Sequence, residues 1–121
     1  MKSYVKLMFY AFGLYYLVMG LIAVFSPGLA AGFYGASELG PEAGLAARWV
    51  GALALAIAYG AFAVVSTLRK EILRLLLIAA LATIAANTLA VFAGDARFGQ
   101  LLFDFVIHVG LVAAVILAQK E

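Results

Sequence analysis

The chain has 121 residues, 68% hydrophobic and 12% charged, with a net charge of +2 and a mean hydropathy of +1.15; an ordinary soluble domain carries about 25% charged residues. These values exclude a water-soluble globule, and so slight a positive balance gives no reason to expect a nucleic-acid partner. With no cysteine in the sequence, disulfides, thiolate metal sites and cysteine redox chemistry are excluded.

Charge-free runs cover Leu7 to Phe25, Trp49 to Leu68 and Leu75 to Gly94, and a fourth run, Phe98 to Gln119, is broken only by Asp104 and His108. Each is close to the ~20 residues a helix needs to cross ~30 Å of hydrocarbon, and each is too long for a membrane β-strand of ~9–11 residues. The runs predict helices at Tyr4–Phe25, Ala46–Ser66, Ile72–Ala93 and Phe98–Ala118, with an outer loop over 26–45. The expected fold is all-α, an integral membrane four-helix antiparallel bundle forming a single domain over 1–121. The short connections Arg69-Lys70-Glu71 and Gly94-Asp95-Ala96-Arg97 force antiparallel neighbours. Lys2 and Lys6 precede a first apolar run longer than the 7–15 residues of a signal core, so this segment is expected to be retained as a span.

Lys and Arg set the expected orientation. Lys2, Lys6, Arg69, Lys70, Arg74 and Lys120 fall on one side, Arg48 and Arg97 on the other. Both termini are therefore expected in the cytoplasm of a cell with the chain in its inner (plasma) membrane. The 26–45 loop then faces outside, with Phe33 and Tyr34 at the interface and Glu38 and Glu42 as its charges.

Helices in lipid pack through small residues that let backbones approach. Gly13 and Gly20 in the first span fit this role, as do Ala47/Gly51, Ala54/Ala58 and Ala56/Gly60 in the second. Ala79, Ala82, Ala86 and Ala90 make a further stripe in the third. Small residues on several helices lead us to expect a homo-oligomer or a larger membrane partner besides the bilayer.

The chemistry concentrates in the fourth span. Asp104 and His108, four residues apart, share one helical face, with His108 near the midplane and Asp104 ~6 Å nearer the outer surface. Asn87 in the third helix falls at the same depth as Asp104, and Arg48 enters the second helix above both. Ionisable groups at membrane depth are costly enough to mark functional sites, and a carboxylate beside a histidine is the minimum set for acid/base chemistry. Asp104 and His108 are thus candidate catalytic residues, with interhelical glue as the competing role. Arg48, Asn87, Trp49, Tyr15 and Tyr59 are candidate ligand-binding residues, Trp49 and Arg48 being equally suited to anchor the outer interface. One histidine and one buried aspartate cannot supply the three protein ligands of a catalytic zinc, so no metal is expected.

Two stretches, "FSPGLAAGFYG" after the first helix and "RWVGALALAIAYGAFAV" in the second, resemble the small four-helix membrane proteins called DoxX-like. The resemblance extends to the whole layout of about 120 residues with a longer first outer loop. The name-giving branch is associated with quinone-linked oxidation of sulfur compounds, so the resemblance implies a quinone or another lipophilic ligand and carries over no catalytic residue. The expected function is binding of a small lipophilic molecule, quinone-like or sterol/isoprenoid-like, in a pocket in the outer half of the bundle. The alternatives are a membrane-embedded acid/base enzyme using Asp104 and His108, and a non-catalytic accessory or scaffold subunit.

Overall fold

A computed structural model of the chain describes residues 1–33, 39–67 and 70–121; Tyr34, Glu38 and Arg69 lie outside them. The helices are α1 (Ser3–Phe25), α2 (Pro27–Gly32), α3 (Pro41–Ser66), α4 (Lys70–Ala93) and α5 (Phe98–Gln119). All but α2 are long and apolar enough to cross a membrane, and the protein is an all-α, multi-pass membrane bundle.

The four spans match the sequence reading, with two differences at the first loop. The segment expected as loop contains α2, and α3 starts at Pro41 rather than Ala46. Pro27 accounts for the break after α1: it lacks the N–H that would continue the ladder, and its ring clashes with the preceding turn. Proline is well tolerated at the first position of a helix, where its N–H is not needed. Pro27 and Pro41 both occupy that position. α4 ends at Gly94, whose φ of +82° is left-handed, and the next amide, Asp95 N–H, donates to Ala90 O at 2.9 Å. α5 then begins with the Gln100 side chain reaching back to accept from Arg97 N–H at 2.8 Å.

The spans form a ring in chain order: α1 packs most extensively on α3, α4 on α5, and thinner contacts between α1 and α5 and between α3 and α4 close it. The α1–α3 seam is backbone against backbone. A Cβ on Gly20 would sit 2.9 Å from the Gly51 carbonyl oxygen, and one on Gly51 would sit 2.8 Å from the Gly20 oxygen. Gly20 and Gly51, expected separately as small packing residues of the first and second spans, are each other's partner across this seam. The α4 stripe behaves otherwise, since Ala82 and Ala86 are exposed.

Most of the core lies in one half of the bundle. Val5, Phe9 and Phe12 from α1 meet Ala58 and Val64 from α3, Leu73, Leu76 and Ala80 from α4, and Leu111, Ala114, Val115 and Ala118 from α5. This solid half lies at the end where the chain starts and finishes, and there Lys2 N–H donates to Glu121 Oε1 at 2.9 Å. The other half, toward α2, is hollow.

Candidate functional site

The hollow half encloses a cavity of about 560 Å³, within the ~300–1,000 Å³ typical of small-molecule sites. Its wall follows helical periodicity: Ala47, Val50, Gly51, Ala54 and Ile57 come from one face of α3, and Leu101, Asp104 and His108 from one face of α5. Tyr15, Tyr16, Met19 and Ala23 line it from α1, Thr83 and Asn87 from α4, and Ala30 and Ala31 from α2. Val50 and Leu53 line the cavity and are also exposed, so its mouth opens sideways along α3, toward the lipid. On the α4 side of α3, Gly60 faces Ile72 and Leu76 in the solid half.

The polar groups gather at one wall around Asp104, which is 8% exposed. The Tyr15 hydroxyl donates to Asp104 Oδ1 at 2.6 Å, and Asn87 Nδ2 donates to Oδ2, also at 2.6 Å. His108, 2% exposed, donates from Nδ1 to the Asp104 carbonyl oxygen at 2.7 Å, with Oδ2 of the same residue 3.3 Å away. In the neutral ring this leaves Nε2 as an acceptor, and the Tyr16 hydroxyl is its partner. Tyr15 and Tyr16 stack edge to face, 5.5 Å between centroids, which places adjacent α1 residues on adjacent acceptors of α5. Among the described residues, no buried side-chain nitrogen or oxygen lacks a partner, as hydrocarbon surroundings require.

Four of the seven residues expected from the sequence come together. Asp104 and His108 share a face, Asn87 meets Asp104 across helices at the expected depth, and Tyr15 completes the set. Arg48 turns elsewhere, its guanidinium donating to the Val24 carbonyl in the last turn of α1. The break at Pro27 frees carbonyls there that an arginine can satisfy. Trp49 and Tyr59 are 64% and 76% exposed, on lipid-facing surface outside the cavity wall. Tyr16 was missing from the expected set. Its signal is the Tyr15-Tyr16 pair itself, two hydroxyls at the midplane of an otherwise apolar helix, where each must find a partner.

Asp104 and His108 are both held by hydrogen bonds, and among the described residues no group of three or more His, Cys, Asp or Glu side chains comes together that could hold a metal ion. Chemically, the wall is a carboxyl group backed by a histidine and framed by phenols, facing an apolar chamber. No family model, curated protein or solved structure matches the chain.

Proposed function

We propose that the protein binds a small lipophilic molecule, quinone-like or sterol/isoprenoid-like, in the hollow half of the bundle, its polar end against Asp104 and its apolar body along α3. The observation that carries this reading is the cavity of about 560 Å³ with a single polar wall at Asp104, Asn87 and His108, the usual construction of a small-molecule site. Membership of the DoxX-like family is part of the proposal and rests on the two quoted stretches alone. The excess of Lys and Arg on the side of the termini, Lys2, Lys6, Arg69, Lys70, Arg74 and Lys120 against Arg48 and Arg97, supports an orientation with both termini in the cytoplasm and the cavity in the outer half of the inner membrane. Native mass spectrometry of protein released from nanodiscs tests the binding. A retained non-phospholipid compound, absent from an Ala54→Trp variant that fills the chamber, is expected; retention of bulk lipid alone by both proteins refutes the reading.

A second reading is favoured by the hydrogen-bonded series Tyr16–His108–Asp104. It orders a histidine behind a cavity-lining carboxyl group and so suits acid/base chemistry on the bound molecule. Turnover of a bound compound that survives Asp104→Asn combined with His108→Ala would eliminate it.

A further inference from the structure

Binding at this wall requires complementary hydrogen bonding, and the distribution of donors and acceptors narrows the ligand. An ionised carboxylate offers about four lone-pair positions and no hydrogen, a hydroxyl offers one hydrogen, and a primary amide two. The Tyr15 hydrogen goes to Asp104 Oδ1 and one Asn87 amide hydrogen to Oδ2. The His108 Nδ1 hydrogen goes to the Asp104 carbonyl. Thr83, also at the wall, commits its hydroxyl hydrogen to its own helix, donating to Ala79 O at 2.8 Å. Asn87 keeps one amide hydrogen. Against it stand the remaining lone pairs of the Asp104 carboxyl oxygens, the Thr83 oxygen and the Asn87 carbonyl. A carboxyl whose two oxygens both receive donors from other helices is held as an acceptor.

We infer that the cavity selects amphiphiles whose polar end carries a hydrogen-bond donor, an O–H or N–H aimed at Asp104, over isosteres that end in a carbonyl. The inference rests on the lipophilic-ligand reading and refines it. Alcohols, phenols including reduced quinols, and lipophilic amines qualify, whereas aldehydes, ketones and oxidised quinones do not. The physical reason is the asymmetry of desolvation. A carbonyl placed against Asp104 leaves two acceptors facing each other without water, and a site built to pair with a hydroxyl strongly rejects the analogue that lacks it. The aromatic rings of Tyr15 and Tyr16 beside the carboxyl suit either a neutral or an ammonium donor.

The test uses three probes with one skeleton, farnesol, farnesylamine and farnesal, titrated into the full chain in nanodiscs with thermal-shift readout. Farnesol, farnesylamine or both are expected to bind about tenfold or more tighter than farnesal, and which of the two is tighter identifies the donor as hydroxyl or ammonium. Asp104→Asn, whose amide can itself donate, should bring the ratios toward one, with circular dichroism verifying that the helices persist. Ala54→Trp should abolish binding of all three. If farnesal binds as well as the alcohol and the amine, or if Asp104→Asn leaves the ratio unchanged, donor selection is overturned while the lipophilic site stands. If none of the three binds, the site reading falls with it.

Discussion

The Tyr15 hydroxyl on the first span and Asp104 Oδ1 on the last are 2.6 Å apart, so a carboxyl group in the membrane is held by a phenol 89 positions earlier in the chain. Asn87 makes the same distance to the other oxygen. Removing the acceptor therefore strands two donors. Asp104→Leu is expected to destabilise the bundle by about 1–3 kcal/mol, the cost of unsatisfied buried donors. Combining it with Tyr15→Phe and Asn87→Leu should recover most of that loss, because replacing all partners with apolar groups removes the desolvation cost as well. Denaturant titration in mixed micelles checks this, and additive losses across the three variants would show that the contacts are independent.

The glycine seam makes a contrasting pair of expectations. At Gly20 an added methyl would meet the Gly51 backbone oxygen at 2.9 Å, and backbone cannot move aside as a flexible side chain can. Gly20→Ala is expected to cost about 1–3 kcal/mol, as overpacking does. At Gly60 the nearest atoms would be 3.6 and 3.7 Å away, on Leu76 and Ile72, an ordinary contact. Gly60→Ala should be neutral or stabilise the helix by up to about 1 kcal/mol. Thermal unfolding of the two variants side by side decides whether the α1–α3 approach is as tight as described.

Tyr59 and Tyr15 separate lipid-facing from cavity-facing tyrosines. Tyr59→Leu should leave ligand affinity within about twofold, since its ring lies outside the wall. Tyr15→Phe, which deletes one donor to Asp104, should weaken binding several-fold at unchanged helix content. Equal effects from the two, measured by the same titration, would contradict the placement of the cavity.

Orientation is directly testable because the sequence contains no cysteine, so one introduced thiol is the only label. Asp95→Cys, in the exposed turn between α4 and α5, should react with an impermeant maleimide added to intact cells. Lys120→Cys should react only after the membrane is opened. The reverse pattern would place the cavity in the cytoplasmic leaflet.

Charge-free length was sufficient to reveal four spans, because the bilayer imposes a minimum that nothing else in so short a chain imitates. α2 escaped because six residues cannot show a period, and the start of α3 because its first turn, Pro41 to Gly44, precedes the apolar run. Depth was equally legible: Asn87 and Asp104 meet where counting residues places them. Rotation about each helix axis was not. In a span that is apolar all round, no polar stripe marks the inner face, so Tyr15 and Tyr59 read alike although one reaches Asp104 and the other lipid. Arg48 was ambiguous for a different reason, since its long stem lets the guanidinium reach in several directions and a broken helix end was nearer than the buried acid.

The ring is two tight hairpins, α1 with α3 and α4 with α5, meeting more thinly along the other two edges. Fused at the solid end and parted by the chamber at the other, they resemble the arms of tongs, and the Tyr15–Asp104 and Tyr16–His108 bonds cross from one arm to the other as a clasp. A guest bonded to a remaining lone pair of Asp104 lies between the arms, where the clasp sets their spacing. Occupancy and the spread of the arms are then a single coordinate, and anything that pushes the hairpins apart from outside, such as bilayer thickness or a neighbouring helix, would change how tightly the guest is held.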